Sequence, residues 1–253
     1  MCGIVGVWSP EPVAPPEEMR RRLQAMAAMI RHRGPDDLQV WSDGRLGLGF
    51  SRLAVLDLSD HARQPMHDPE TGNRLIFNGE IYNFAELRAA LAALGIACRS
   101  QGDSETILLG YRLWGEAVVE RLRGMFAFAL WDARAGRLFL ARDRAGQKPL
   151  FHARVGQTLL FASEIKALAA WPEFQRKPDP VALGHYFSFQ AVPAPLSAFK
   201  GVAALPPAHS LTLEADGRTR CRRYWALPRP EESRQVRAAD AEAELAARLA
   251  ETV

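Results

Sequence analysis

The sequence predicts a layered structure built from short β-strands and amphipathic α-helices. Closely spaced β-like runs fill residues 125–162, and helical patterns lie on either side of them along the chain. The 253 residues are 48% hydrophobic, which suffices for one large globular domain or for one domain with an appendage. Periodicity alone does not give the order of the strands within a sheet.

Strand and helix patterns alternate in the first 80 residues. The strand patterns are short apolar runs at 4–8, 39–42, 46–51 and 74–77. A helix is predicted from Glu17 to the stop signal at Gly34–Pro35, and its apolar face consists of Met19, Leu23, Met26 and Ile30. Residues 52–58 continue as an apolar, partly extended segment. The strand at 74–77 runs into Asn78–Gly79, which is a typical hairpin-turn signal.

Beyond residue 80, two helices precede a group of hairpins. Helical patterns occupy residues 84–94, 104–114, 163–170 and 238–253. Strand patterns occupy residues 125–131, 137–141, 150–153 and 158–162, followed by a last hairpin of 211–213 and 222–225. Residues 189–195 are predicted to form a proline-broken loop and residues 228–233 a linker.

Composition and charge narrow the function classes. The net charge is +3, and no dense basic run is interleaved with aromatic residues, so we expect no nucleic-acid partner. The three cysteines, Cys2, Cys98 and Cys221, share no metal-ligand spacing, and their odd number argues against a disulfide framework. Because neither a bilayer-spanning apolar stretch nor a signal-peptide pattern is found, we expect a cytoplasmic protein that binds no membrane.

Cys2 is the first candidate for chemistry. Methionine before a small residue is commonly trimmed, and removal of Met1 would leave a thiol and a free α-amine on one carbon. The ordinary pKa is about 7.7–8.0 for the amine and about 8.5 for the thiol, so near neutral pH the amine can act as a base. One residue would then supply both nucleophile and base. The alternative is that Cys2 is simply a small buried apolar residue.

A cysteine that attacks an amide also needs donors for the oxyanion that forms. Asn78 offers the N–H bonds of its side-chain amide, and Gly79 offers an unencumbered backbone N–H. Together they can direct two donors at one oxygen. The alternative interpretation of this pair is an ordinary hairpin turn.

An amino-acid substrate further needs partners for its carboxylate and its ammonium group. Arg52 is flanked by apolar residues, which favours a half-buried guanidinium suited to bidentate carboxylate recognition. Asp103 and Glu80 are candidates for the ammonium group. The alternatives are a structural ion pair of Arg52 with Asp57 or another carboxylate, a helix N-cap at Asp103 and a solvated charge at Glu80.

Seven motifs occur together along the chain. They are MCGIVG at 1–6, RHRGPD at 31–36, FNGEIYN at 77–83, GDSET at 102–106, GMFAFALWD at 124–132, ARDR at 141–144 and ASEIKAL at 162–168. In the sequences and the order of these motifs, the chain closely resembles the N-terminal class II glutamine amidotransferase domain of glutamine-hydrolysing asparagine synthetases. The resemblance runs from Met1 to about Trp225. Phosphoribosylpyrophosphate and fructose-6-phosphate amidotransferases also use an N-terminal nucleophile, but their sequences differ from this chain in the RHRGPD and FNGEIYN segments.

The resemblance implies an α+β fold, a four-layer αββα sandwich of the N-terminal-nucleophile hydrolase type. It implies that Cys2 is the nucleophile, that Asn78 and Gly79 form the oxyanion hole, and that Arg52 binds the carboxylate of glutamine. The remaining residues that it places around the substrate are Leu53, Ala54, Val55 and Leu56, through their backbone, and Glu80 and Asp103, which receive the ammonium group.

The resemblance also divides the chain and implies a partner. Residues 2–226 are expected to form the glutaminase domain, and residues 227–253 a linker and helix that lead toward an ATP-dependent synthetase domain absent from this sequence. No Ser-Gly-Gly loop or other phosphate-binding glycine motif is present. We therefore expect no metal or organic cofactor in this chain, with ATP and Mg only in the absent domain. The expected partners are L-glutamine and the synthetase domain or subunit that receives ammonia, and the sequence leaves a homodimer open.

Three functions remain open from the sequence. The first is hydrolysis of glutamine to glutamate and ammonia for the amidation of aspartate. The second is the same hydrolysis for another amidation, in a natural-product or polysaccharide pathway, because the absent half chooses the acceptor. The third is an inactive glutaminase fold that serves as an interaction platform. A platform would need none of the five residues Cys2, Arg52, Asn78, Gly79 and Asp103, so their joint presence argues against it.

Overall fold

Two six-stranded antiparallel sheets form the centre of the computed structural model, which describes residues 1–229 and 237–252. In chain order the strands are β1 (Gly3–Trp8), β2 (Asp37–Ser42), β3 (Leu46–Arg52), β4 (Met66–His67), β5 (Arg74–Ile81), β6 (Gly124–Asp132), β7 (Arg137–Arg142), β8 (Phe151–Val155), β9 (Thr158–Ala162), β10 (Val202–Ala204), β11 (His209–Leu213) and β12 (Thr219–Arg223). The first sheet has the order β10-β8-β9-β1-β3-β2, and the second β12-β11-β7-β6-β5-β4. The N-terminal strand β1 therefore lies inside a sheet, between β9 and β3.

Seven α-helices accompany the sheets in the described residues. They are α1 (Pro16–Ala28), α2 (Phe84–Ala93), α3 (Ser104–Trp114), α4 (Val118–Arg121), α5 (Ile165–Leu168), α6 (Pro180–Phe189) and α7 (Ala238–Thr252). Of these helices, α1, α3 and α5 contact sheet strands. Helix α1 packs on the first sheet through Met19, Leu23 and Met26, and α3 packs on β5 through Ile107 and Leu108. These contacts follow the apolar stripes that the sequence places on one face of each helix.

An apolar core fills the space between the two sheets. It includes the fully buried side chains Ile4, Leu48, Ile76, Ala129, Leu140 and Phe161. Complete burial of a large apolar side chain contributes about 1.5–3 kcal/mol to folding, so this layer is a major source of stability. With helices outside and paired sheets inside, the predicted four-layer αββα sandwich is confirmed.

The hairpin turn predicted at Asn78–Gly79 is wrong, because β5 continues through both residues to Ile81. Asn78 lies opposite Ala127 and Gly79 opposite Phe126 in the ladder with β6. A side chain at Gly79 would collide with the backbone oxygen of Met125, so glycine is required here by the close approach of β6. Hydrogen-bonded pairing with strand β6 outweighs the local turn propensity of the Asn-Gly pair.

Two helices differ from their predictions. The sequence analysis did not predict α6, although Asp179 caps it by accepting a 2.9 Å hydrogen bond from the backbone N–H of Val181 and Pro180 stands at its first position. Helix α5 is shorter than the predicted 163–170. Its expected first residue, Ser163, is bonded instead to Ile4 of β1, where its hydroxyl accepts from the backbone N–H at 3.0 Å.

The C-terminal helix α7 is confirmed through Thr252, and Leu245 and Leu249 of its predicted stripe are exposed. The third member of the stripe, Val253, lies outside the described residues, as do residues 230–233 of the linker predicted at 228–233. The division at residue 226 stays a prediction. Across the described part of the chain, no helix is both long and apolar enough to cross a membrane.

Candidate active site

A pocket opens where the N-terminal end of β1 meets the C-terminal ends of β3 and β5. Its empty volume, with the open solvent at its mouth included, is about 460 Å³. The predicted residues that line this pocket, here called the Cys2 pocket, are Cys2, Arg52, Leu53, Ala54, Val55, Leu56, Gly79, Glu80 and Asp103. Asn78, the remaining predicted residue, is buried between Phe77 and Gly79, which both line it.

The thiol of Cys2 faces the first residue of the loop that follows β3. The Sγ atom lies 3.4 Å from the backbone nitrogen of Leu53 and 3.5 Å from its carbonyl oxygen. Burial raises the pKa of this thiol, and the Leu53 backbone and the N-terminal amine act in the opposite direction. A thiol held protonated in this way needs a base before it can attack, and the nearest one after loss of Met1 is the amine on its own Cα.

Arg52 binds the backbone of its own loop and makes no ion pair with the described carboxylates. One guanidinium nitrogen donates to the carbonyl oxygen of Asp57 at 2.5 Å and to that of Ser59 at 3.4 Å. The alternative of a structural ion pair with Asp57 is therefore wrong. The Asp57 carboxylate instead accepts from the backbone N–H of Ser59 at 2.8 Å and of Gln101 at 2.7 Å. The other guanidinium nitrogens of Arg52 make no hydrogen bond within the described residues.

Asn78 carries a buried donor without a partner. The side chain is 1% exposed, and its amide nitrogen Nδ2 has no hydrogen-bond partner in the described residues. A buried donor left unpaired costs about 1–3 kcal/mol, so such a group needs an explanation. An acceptor that arrives only with a ligand would provide one.

Glu80 and Asp103 place two carboxylates on one side of the pocket. Burial and the neighbouring Asp103 raise the pKa of Glu80, whereas Lys148 lowers it. The Asp103 carboxylate accepts a 2.8 Å hydrogen bond from the backbone N–H of Ile81, and burial raises its pKa. Asp103 stands at the N-cap position of α3, as the alternative interpretation expected, but its side chain makes no capping hydrogen bond. A cation between the two carboxylates would relieve their repulsion.

A family model described as the glutamine amidotransferase domain matches residues 1–225. This chain belongs to that family.

Curated relatives extend the family assignment. The amidotransferase chain is 39% identical over 228 residues to "Asparagine synthetase [glutamine-hydrolyzing] 3" of Bacillus subtilis, a match that covers 89% of this chain and 36% of the relative. It is 41% identical over 232 residues to a putative asparagine synthetase [glutamine-hydrolyzing] of Mycobacterium bovis, with 85% of this chain and 35% of the relative covered. The chain thus spans little more than a third of these relatives.

A solved structure supports the fold of this amidotransferase chain. Glutamine phosphoribosylpyrophosphate amidotransferase from B. subtilis, complexed with ADP and GMP, aligns with a TM-score of 0.63 over 90% of this chain and 50% of the other. The sequence identity is 17%, so this likeness concerns the fold alone.

The RHRGPD motif holds the amidotransferase site together, a role that the sequence analysis did not assign. Arg33 donates to the carbonyl oxygen of Cys2 at 3.0 Å and pairs with Glu164 at 3.0 Å. Asp36 accepts from the backbone N–H of Ala54 at 2.8 Å, and Gly34 packs directly on the backbone that precedes this loop. The only signal for these roles was the motif itself, since each partner is distant in sequence.

Met1 contacts two basic side chains near the site. Its Sδ lies 3.4 Å from the ammonium of the buried Lys148 and 4.0 Å from the Arg33 guanidinium. The loop that carries Lys148 is held by the fully buried Asp143, which accepts four backbone N–H bonds, from Phe126, Ala145, Gln147 and Lys148. In the described residues no cluster of His, Cys, Asp and Glu is arranged to hold a metal ion.

Proposed function

We propose that this chain is a glutaminase that hydrolyses the side-chain amide of L-glutamine and supplies the ammonia to an ATP-dependent synthetase. The observation that carries this proposal is one pocket lined by a thiol at the second residue, an arginine and two carboxylates, with the buried unpaired amide donor of Asn78 between two of its lining residues. Each group of a free glutamine then has a complementary partner. Arg52 takes the α-carboxylate, Glu80 and Asp103 take the ammonium group, and Cys2 faces the amide.

The first half of the reaction forms a thioester. After removal of Met1, the free amine of Cys2 accepts the thiol proton, directly or through a water, as Sγ bonds to the side-chain carbonyl carbon of glutamine. The resulting oxyanion accepts hydrogen bonds from Nδ2 of Asn78 and the backbone N–H of Gly79. The protonated amine then gives its proton to the departing nitrogen, the C–N bond breaks, and ammonia leaves.

The second half regenerates the thiol. A water attacks the γ-glutamyl thioester and its proton passes to the Cys2 amine, while the same two donors again hold the oxyanion. The C–S bond breaks, the thiolate recovers the proton from the amine, and glutamate is released. No step draws on a metal or an organic cofactor.

The acceptor of the ammonia lies in the part of the relatives that this chain does not span. Because relatives at 37–41% identity carry the name glutamine-hydrolysing asparagine synthetase, we propose aspartate as the acceptor, in a synthetase domain or subunit that uses ATP. A second candidate is a different acceptor. It is favoured by the 33% identity over 217 residues to a protein named amidase chry2, from Gibberella zeae.

The proposal is tested by glutamate release from L-glutamine by the purified chain, with intact mass recorded to establish that Met1 is absent. We expect activity in the parent, none in Cys2→Ala, and unchanged activity in the control Cys98→Ala, whose thiol does not line the pocket. Activity that survives Cys2→Ala, or a processed parent that never releases glutamate even when mixed with a relative's synthetase domain, would contradict it.

A further inference from the structure

The edge of β5 that borders the Cys2 pocket has no neighbouring strand along most of its length. Strand β4 pairs with β5 only at Arg74 and Leu75, so the rest of β5, up to Ile81, is paired on the β6 side alone. In an antiparallel strand the backbone N–H groups point alternately to the two sides, so every second N–H of this stretch points to the open edge. A buried N–H without an acceptor is costly, and each of these groups therefore needs a partner from outside the sheet.

The ladder with β6 determines that Gly79 is one of the residues facing this edge. Phe126, which lies opposite Gly79, uses both of its backbone groups on the far side of β6. Its N–H donates to the carboxylate of Asp143 at 3.1 Å, and its carbonyl oxygen accepts from the backbone N–H of Asp143 at 2.8 Å. Residues directly opposite each other in an antiparallel pair exchange either both backbone bonds or none. Gly79 therefore makes no bond to β6, and its N–H points to the open edge.

Two side chains occupy the edge on either side of Gly79. The oxygen Oε1 of the buried Gln64 accepts a 2.6 Å hydrogen bond from the backbone N–H of Phe77, and the carboxylate of Asp103 accepts a 2.8 Å bond from that of Ile81. These N–H groups lie two residues before and two residues after Gly79, so the three form one row. Only the middle N–H lacks a side-chain acceptor in the described residues. The residues of this edge that line the pocket are Gln64, Phe77, Gly79 and Asp103.

We infer that Gln64 is a positioning residue of the oxyanion hole, which holds Phe77 in place so that the N–H of Gly79 stays directed into the pocket. This inference rests on the proposed glutaminase function and deepens it. The bond to Phe77 replaces the strand partner that β5 lacks at this edge, and it restrains the residue directly before Asn78. Both proposed oxyanion donors therefore follow a fixed point in the chain, and a donor acts on a transition state only where it is held in place.

Two uncharged substitutions remove the bond to Phe77 in different ways, and both are tested by steady-state glutamine hydrolysis. Gln64→Met keeps the length of the side chain but leaves only a thioether, which is a weak acceptor. Gln64→Asn keeps an amide in the pocket but is one methylene too short to reach Phe77. Since loss of a whole oxyanion donor costs about 10²–10³ in rate, misdirecting one of two donors should lower kcat about 10-fold in both variants, with KM within about 3-fold of the parent.

Asn73→Leu is the matched control. Asn73 is also buried, and its side-chain oxygen accepts a 3.0 Å hydrogen bond from the backbone N–H of Ala133, just beyond the other end of the β5–β6 ladder. It does not line the pocket. Its loss removes one bond from a buried amide to a backbone N–H, as the Gln64 variants do, so it should lower the melting temperature similarly and leave kcat unchanged.

Amide hydrogen exchange of peptides from β5, measured without substrate, adds a readout that needs no turnover. We expect the β5 peptide that contains Phe77 to exchange faster in both Gln64 variants than in the parent and in Asn73→Leu. Equal exchange in all four proteins, or a kcat that falls no further than in Asn73→Leu, would overturn the inference while an active parent upheld the proposed function. A processed parent that releases no glutamate would contradict the proposed function and, with it, the inference.

Discussion

The two sides of the Cys2 pocket are built from different kinds of backbone. On one side, Asn78, Gly79 and Glu80 lie within β5 and are paired residue by residue with β6. On the other side, residues 53–59 form a loop outside the sheets, held by side chains: the Asp36 carboxylate on Ala54, the Arg52 guanidinium on two carbonyls, and the Asp57 carboxylate on Ser59 and Gln101.

This difference separates the expected effects on chemistry from those on binding. In a ladder each hydrogen bond restrains the next, so the proposed oxyanion donors are positioned before the substrate arrives. The loop depends on a few side chains, and one substitution removes any of them. Changes in β5 should therefore lower kcat, whereas changes in the loop should mainly raise KM.

The largest effect is expected for Asn78→Ala. Loss of one oxyanion donor should lower kcat by about 10²–10³-fold with little change in KM. Because Nδ2 has no partner in the described residues, stability should not fall through a lost hydrogen bond. Steady-state kinetics and thermal melting of the same preparation measure both quantities.

Asn83→Ala provides the matched control for that variant. Asn83 donates to the carbonyl of Arg121 at 3.0 Å and accepts from the N–H of Arg123 at 2.9 Å. Its loss should cost about 1–3 kcal/mol of stability and leave kcat close to that of the parent. If both variants lost stability equally and kept their kcat, Asn78 would be a structural residue.

Arg52→Lys tests the loop side. Lysine keeps the charge but has no planar fork with which to bind both the loop carbonyls and a carboxylate. We expect KM for glutamine to rise roughly 10- to 100-fold and kcat to change far less. A drop in kcat with KM unchanged would show that Arg52 acts in the chemical step. The loop side would then not differ from the β5 side in its effect on kcat.

Asp57→Asn should have a smaller effect. Hydrogen bonds from Ser59, Gln101 and Gly102 lower the pKa of Asp57 to about 2, from an ordinary value of 3.8. Its contribution to stability is then complete above about pH 4 and is lost as the pH falls toward 2. Acid unfolding, followed by circular dichroism, should lose this component in Asp57→Asn, and KM should rise about 3- to 10-fold at neutral pH. An unchanged acid transition would show that the loop does not depend on this carboxylate.

The smallest effect is expected from the exposed apolar side chains of the loop. Val55, Leu56 and Leu58 are 62%, 53% and 73% exposed. The change Leu58→Ser should alter the stability of this chain by no more than about 0.5 kcal/mol and leave its glutamine hydrolysis unchanged, because Leu58 does not line the pocket. A large loss in either measurement would show that the loop is held by apolar contacts as well as by its polar side chains.

Local patterns predicted most of the helices and strands. The hydrophobic periodicity of α1, of α3 and of the strands of both sheets is visible within each short segment of sequence. The failure at Asn78–Gly79 came from pairing with β6, a segment some fifty residues away that no local rule contains. Helix α6 was missed for a different reason. Its Asp179–Pro180 start signal was present, but its residues are apolar on all sides and gave no period.

The site residues also differ in whether local sequence could identify them. Residues in recognisable motifs were brought together in one pocket as expected, although their roles, like the cytoplasmic location and any dimer, stay predictions. Gln64 and Asp57 were not assigned to the site, because what distinguishes them is a hydrogen bond to a backbone group remote in sequence. Sequence patterns can identify a side chain suited to chemistry. They do not show which of its atoms is left unpaired after folding.

The central position of β1 orders the events of biosynthesis. Strand β1 is flanked by β9, and Ile4 is bonded to Ser163, so the segment up to residue 163 must emerge from the ribosome before the surroundings of Cys2 are complete. Until then the terminus is an open peptide, and afterwards Met1 rests against Lys148 and Arg33. Met1 stays 59% exposed in the folded chain, so access to the first residue does not depend on when the sandwich closes, whereas completion of the pocket waits for β9.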